Sequence, residues 1–225
     1  MKKYSLFSGY LVIAAALSIG INAQANTIVF VNEPGLGSQQ NFVLGMDFVV
    51  HTAVTVTELG AFDSGGGGFS DGISVGIFDL TSQSLLGSSA TIIGTAGTLI
   101  GGSRFVSVTP FTLNPGTYSI VAAGWALGGP DLSGNTGLGT PPGMTSFNSD
   151  GGAISMVTQG GRWQNGTDLV FPTANTGGHG QPDPEFQAGT FAVSELAVPD
   201  GGMTIGLLGM ALAGLAMARN RFARA

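Results

Sequence analysis

The sequence predicts an all-β fold, a single antiparallel β-sandwich with a jelly-roll-like arrangement. Short stretches of alternating Val, Ile, Thr and Phe recur along the middle of the chain, and this alternation is typical of half-buried strands. Glycine, at 39 of 225 residues, separates these stretches without a collagen-like triplet period. We therefore expect one domain of about eight to ten strands over residues 26–196. A signal helix should precede it and a hydrophobic helix should follow it.

The first half of the domain has clear strand and turn signals. Val54-Thr55-Val56-Thr57 alternates, and the break at Glu58-Leu59 predicts a strand end or a bulge. Residues 63–71 hold four consecutive glycines and should form a loop. Ile73, Val75 and Ile77 should share one face of the next strand. Further strands are expected at residues 85–86, 90–93, 104–108 and 110–113.

In the second half, Asn114-Pro115-Gly116 predicts a tight turn, followed by a central apolar strand over 118–125. Residues 128–152 are rich in Gly, Pro, Asn and Ser and are expected to be a long irregular excursion, a candidate binding surface. Strands should resume at 153–158, 168–171 and 186–193.

The N-terminus resembles a secretory signal peptide. Lys2 and Lys3 precede an apolar stretch over 6–21, and Ala23-Gln24-Ala25 has the small residues that signal peptidase accepts. We predict a signal peptide over 1–25, cleaved after Ala25. The alternative is an uncleaved N-terminal anchor.

The C-terminus has three consecutive parts over residues 197–225. An apolar stretch over 203–218 would form a helix of roughly 24 Å, slightly shorter than a bilayer core of about 30 Å. It could insert transiently in the inner membrane, with the basic tail cytoplasmic and the body outside. The alternative is a permanent anchor. The motif before the helix is Val198, Pro199, Asp200, Gly201 and Gly202, and the tail holds Arg219, Arg221 and Arg224.

This arrangement resembles the PEP-CTERM sorting signals of bacteria that make exopolysaccharide, in the VPDSG-type variant. Gly201 stands where that variant commonly has Ser. The resemblance implies processing by an exosortase-type transpeptidase, with Asp200, Gly201 and Gly202 as the recognised segment. The implied destination is the cell surface or extracellular matrix.

The charge of the body excludes one class of partner. Residues 26–202 contain no Lys, two Arg and all 13 acidic residues, so the formal charge is 2 − 13 = −11. Nucleic acid is excluded because its phosphates require Lys and Arg. Cations, neutral glycans and basic proteins remain as partners. The chain has no Cys, so a hydrophobic core must stabilise it without disulfides.

The body also resembles extracellular β-sandwich modules of unknown function such as DUF4082. The matching stretches include residues 57–63, 75–79, 104–106 and 114–118. They are mostly turn and core positions, and the resemblance implies no catalytic residues.

Aspartates in turns are candidate calcium ligands. A structural calcium ion is the one cofactor that we consider, on Asp63, Asp71 or Asp131, because oxygen ligands in turns suit it. Asp79 and Asp150 also lie in or beside turns, and solvated carboxylates are the alternative for all five.

A glycan could stack on Trp163 while neighbouring polar side chains meet its hydroxyls. These neighbours are Arg162, Asn165 and Asp168. Alternatively, Trp163 caps the core. Trp125 ends an apolar strand and is expected to be core.

No catalytic residues are predicted, and the protein is expected not to be an enzyme. Gly72-Ile73-Ser74-Val75-Gly76 matches G-x-S-x-G formally, with His179 downstream, but a nucleophile elbow requires a turn into a helix. Ser74 should instead lie within a strand, and the lone His51 is more often structural. The predicted role is structural or adhesive. A carbohydrate-binding module for exopolysaccharide is the alternative, and a secreted hydrolase is the distant one.

Overall fold

The computed structural model describes residues 26–32, 40–132, 144–175 and 186–195, together with Gly209 and Leu212. The body is all-β, as predicted, and its strands pair antiparallel. The predicted signal helix lies outside the described residues, and only Gly209 and Leu212 of the predicted C-terminal helix fall within them. In the part of the chain that is described, no helix has the length and apolar character needed to cross a bilayer.

The strands follow one another along the whole body. Their bounds are β1 (Thr27–Ile28), β2 (Phe30–Asn32), β3 (Phe42–Val50), β4 (Val54–Phe62), β5 (Phe69–Asp79), β6 (Leu85–Gly94), β7 (Thr98–Ile100), β8 (Ser103–Leu113), β9 (Gly116–Ala123), β10 (Met144–Phe147), β11 (Ile154–Asn165), β12 (Ala174–Asn175) and β13 (Gly189–Glu195). A five-stranded sheet has the order β1-β13-β4-β8-β7 and a six-stranded sheet the order β12-β11-β3-β9-β5-β6. Strands β10 and β2 form a separate pair.

The main hydrophobic core takes side chains from both larger sheets. The ring of Phe48 on β3 lies 4.8 Å from that of Phe191 on β13, measured between centroids. The centroid of the Phe48 ring also lies 5.7 Å from that of Tyr118 on β9. All three side chains are buried in one cluster. This shared burial is the principal interaction that holds the two sheets together.

A second, smaller apolar cluster covers the opposite face of the six-stranded sheet. Val43 of β3 and Val121 of β9 pack there with Phe171, which follows β11. Gly45 makes this approach possible, because a Cβ at that position would lie 3.2 Å from Pro172 and 2.9 Å from the Ser119 hydroxyl. The segment after β11 therefore folds back over this sheet.

Several predictions from the sequence are confirmed. Val54 and Val56 are both buried, and the β4–β8 register shifts between Val56 and Glu58, where the alternation breaks. The turn at 114–116 joins β8 to β9, which lies in the interior of the six-stranded sheet. The Tyr118 hydroxyl donates to the Asn114 carbonyl at 2.7 Å and closes this turn.

Other predictions were wrong. Residues 168–171 form no strand. They belong to an irregular segment that buries Phe171 against the face of the six-stranded sheet opposite the main core. β11 continues to Asn165 through two glycines, well beyond the expected end at 158. Residues 85–86 and 90–93 belong to the single strand β6, and β10 lies within the stretch predicted to be irregular. β1 and β2 were missed because they are short.

Candidate functional site

Trp163 lies on β11, half-exposed at the margin of the six-stranded sheet. The strand register places it opposite Leu44 of β3 on one side and Ala174 of β12 on the other. Its ring meets Phe42 edge-on, with centroids 6.0 Å apart and planes at 74°. Its exposed fraction is 37%, so part of the aromatic surface faces solvent. Trp163 is thus supported by the sheet without being enclosed by it.

Asn165 shares the face of Trp163. It lies two residues further along β11 and pairs with Phe42 of the neighbouring strand. Directly paired residues of antiparallel strands have side chains on the same face of the sheet. Asn165 is exposed, and Asp168 is exposed in the segment that follows the strand. We call Trp163, Asn165, Phe42 and Ala174 the β11 ledge.

Arg162 points to the opposite face of the sheet. Its Nε donates to both carboxylate oxygens of Asp47 on β3, each at 2.8 Å. Its guanidinium carbon also lies 5.1 Å from the centroid of the Phe171 ring, a cation–π contact. The structure therefore separates Arg162 from Trp163, although the sequence placed them in one glycan site. Strand alternation over 162–163 is the signal that would have separated them.

Asp47 is nearly completely buried, and its burial has an electrostatic consequence. Loss of solvation raises the pKa of this carboxyl above its ordinary value. The hydrogen bond and positive charge of Arg162 oppose that rise. A lone buried carboxylate would be costly, and the ion pair with Arg162 compensates for its burial. This pair is structural in character.

The carboxylates proposed for calcium have other interactions. Asp63 accepts from Arg104 at 2.9 Å in a buried ion pair. Asp131 accepts from the backbone N–H and hydroxyl of Ser70 at 2.7 and 2.8 Å. Asp71 is exposed on β5. Within the described ranges, no three His, Asp or Glu side chains lie close enough together to hold a metal. Calcium binding at these residues stays a prediction.

Ser74 lies within β5 and not at a strand-to-helix turn, as expected. Its hydroxyl is 3.0 Å from that of Thr91 on the neighbouring β6. The sequence did not reveal that His51 Nε2 lies 2.8 Å from the Ser155 hydroxyl, at the surface end of β3 and β11. The register of these strands brings the two side chains together, and no local motif signals it. His179 lies outside the described residues.

A shallow groove of about 390 Å³ separates β6 from β8, two strands that belong to different sheets. Its lining is Ser88, Ser89, Ala90, Thr91, Val106, Ser107, Val108 and Thr109. None of these lining side chains titrates near neutral pH. The groove offers hydroxyls and methyl groups but no acid or base.

A comparison with known protein families identifies the C-terminal segment. A family model described as "VPDSG-CTERM motif" matches residues 197–222. The chain therefore carries a PEP-CTERM-type sorting signal and is exported, with a cell-surface or extracellular destination. No curated protein matches the chain. The resemblance of the body to DUF4082-like modules stays a prediction.

The cleavage-site, motif and basic-tail residues of the two processing signals lie outside the described part of the structure. These are Ala23 and Ala25 at the predicted signal cleavage site, Val198, Pro199, Asp200, Gly201 and Gly202 of the motif, and Arg219, Arg221 and Arg224 of the tail. Cleavage after Ala25 therefore stays a prediction.

Proposed function

We propose that this exported protein is a non-enzymatic structural or adhesive component of the cell surface or extracellular matrix. Its two sheets would pack face to face as a β-sandwich, supported by the core that Phe48 and Phe191 share. Signal peptidase would remove residues 1–25. An exosortase-type enzyme would process residues 197–225 after their transient insertion in the inner membrane.

The observation that carries this proposal is the sorting-signal match over residues 197–222. The architecture supports the role at that destination. Enzyme sites commonly combine a concave pocket with convergent polar groups and perturbed pKa values. The groove between β6 and β8 lacks titratable side chains, and buried Asp47 is already paired with Arg162. A structural or adhesive module needs no such constellation of groups, so these features are compatible with the proposed role.

Fractionation in the native host tests the destination and the processing together. Intact-mass measurement of matrix protein should show a chain that begins at Asn26 and lacks the apolar segment 203–218. Deletion of 197–225 should abolish matrix delivery. Gly201→Ser is the matched control, because it introduces the residue that is common in this motif, and it should be sorted normally. Surface protein that retains 203–218 would contradict the processing step.

The structural role needs a separate measurement. Cells that lack the protein should form a weaker matrix in shear or cohesion assays, and the wild-type gene should restore it. If matrix strength is unchanged while the purified protein hydrolyses a matrix polymer, the non-enzymatic proposal is wrong.

Carbohydrate binding is a second candidate, favoured by the half-exposed ring of Trp163 beside Asn165. An aromatic face can pack against the C–H groups of a sugar, and an amide can both donate to and accept from its hydroxyls. Trp163→Ala should abolish retention on the host exopolysaccharide. Ile93→Ala is a suitable control, because Ile93 is 62% exposed on β6, at the other end of the same sheet.

A further inference from the structure

We infer that the β11 ledge selects neutral polyhydroxylated glycans and rejects polyanionic ones. The inference rests on the carbohydrate-binding candidate and specifies its ligand class. Three observations carry it: both arginines of the body are committed to buried ion pairs, the body is strongly acidic, and the ledge itself presents aromatic and amide groups.

The first step concerns the cations that an acidic polysaccharide would need. Residues 26–202 contain no Lys, and Arg104 and Arg162 are their two arginines. Arg104 pairs with Asp63 and Arg162 with Asp47, and the side chains of both arginines are at least 85% buried (exposed fractions 6% and 15%). Proteins commonly recognise carboxylate and sulfate with Arg and Lys. The body has no such group free to meet a uronate or a sulfate.

The second step concerns the field around the ledge. The formal charge of residues 26–202 is 2 − 13 = −11. Charge of one sign over a surface repels ligands of that sign, most strongly at low ionic strength. Asp168 adds an exposed carboxylate in the segment just after β11. A polyanion is therefore disfavoured by repulsion, and this repulsion provides selectivity against it.

The third step concerns what the ledge can bind. Trp163 and Asn165 lie on one face of β11, two residues or about 7 Å apart. One sugar unit could stack on the exposed part of the ring while its hydroxyls reach the amide. Phe42 supports the ring from one side, and the small side chain of Ala174 flanks it on the other. Sugar hydroxyls are uncharged, so an aromatic ring and an amide can bind them without an Arg or Lys.

Affinity electrophoresis of the purified fragment 26–196 tests the inference, after circular dichroism and thermal melting show that this fragment folds. If it does not, the full chain in detergent replaces it. The neutral probes are dextran and hydroxyethyl cellulose, and the anionic probe is polygalacturonate, all at low salt with EDTA. We expect retardation by a neutral glucan and none by polygalacturonate. Trp163→Ala should weaken glucan binding about tenfold or more, while Trp163→Phe keeps part of it and Ile93→Ala keeps all of it.

A gain-of-function variant tests the charge argument directly. Ala174→Lys places a cation beside Trp163 and should create polygalacturonate binding that salt abolishes. Polygalacturonate binding by the wild type only when calcium replaces EDTA would also support the inference, because an added cation then bridges two anions.

Three outcomes would overturn, in turn, the neutral selectivity, the location of the site and carbohydrate binding itself. Equal or tighter binding to polygalacturonate in EDTA would overturn neutral selectivity and leave carbohydrate binding intact. Glucan binding that survives Trp163→Ala in a folded variant would remove the ledge as its site. Failure to bind any of the three polymers, or the host exopolysaccharide, would overturn the carbohydrate-binding candidate itself.

Discussion

Asp63 and Arg104 form a buried ion pair that also fixes two loops. Arg104 donates to one oxygen of Asp63 from Nε at 3.0 Å and from Nη2 at 2.9 Å. The guanidinium also donates to the carbonyls of Gly66 and Thr95. The same Asp63 oxygen accepts from the Gly68 N–H at 2.9 Å. The pair therefore connects the loop between β4 and β5 with the turn that precedes β7.

Arg104→Met should destabilise the fold by about 3–5 kcal/mol, because it leaves the buried carboxylate of Asp63 without its cation. Urea denaturation would measure the loss. The double variant Arg104→Met with Asp63→Leu should recover part of it, since no buried charge is then left unpaired. A loss below about 1 kcal/mol in the single variant would show that the pair is not needed.

Gly60→Ala should be destabilising because the added methyl has no room. A Cβ at Gly60 would lie 2.7 Å from Thr190 and 2.8 Å from the ring of Phe105. Such overpacking typically costs about 1–3 kcal/mol. Gly65→Ala is the matched control, because a Cβ there meets nothing within 4 Å. Thermal melting should separate the two variants, and equal melting temperatures would refute the steric account.

Tyr118→Phe should destabilise the β8–β9 turn by about 1 kcal/mol, because it removes the hydrogen bond to the Asn114 carbonyl. Burial raises the pKa of the Tyr118 hydroxyl, and the negative charge of Asp79 raises it further. Thr57→Val is a useful comparison, since its hydroxyl bond to the Ala192 carbonyl is long, at 3.4 Å. The Tyr118 variant should lose more stability in urea, and the reverse order would contradict this prediction.

The pKa values of Asp47 and Asp79 should lie on opposite sides of the ordinary aspartate value of 3.8. Burial raises the pKa of Asp47. Hydrogen bonds from Ser82 and Thr81 lower the pKa of Asp79. Carboxyl chemical shifts followed by NMR across acidic pH would show two transitions on either side of 3.8. Asp79→Asn should remove the lower one, and a single shared transition would contradict the prediction.

These directions fix the sign of each contribution to stability. Folded Asp47 holds its proton to higher pH than the unfolded chain, so its contribution falls as pH rises from 3.8 through its folded pKa. For Asp79 the stabilising contribution is present above 3.8 and is lost as pH falls through its lower folded pKa. Comparison of Asp47→Asn and Asp79→Asn with the wild type in pH-dependent urea melts would separate the two.

Local patterns predicted those parts of the fold that depend on neighbouring residues. Alternation at Val54 and Val56 and the turn at Pro115 were sufficient, because each reflects the conformation of a few consecutive residues. The length of β11 was not predictable in this way, since its pairing with β3 continues through glycines that weaken strand propensity. The ion pair of Arg162 was equally unpredictable from local sequence. Its partner Asp47 lies 115 residues away, and only the register of two strands brings them together.

The two buried arginines have a consequence for the lifetime of the protein outside the cell. Proteases of trypsin type cleave after Lys or Arg, and the body has only Arg104 and Arg162 to offer. Both lie within strands, with their side chains held in ion pairs. Cleavage then requires the sheet to open first, so its rate depends on the free energy of opening. The folded body should therefore resist proteases of trypsin type. Amine-directed cross-linkers would find no lysine on it.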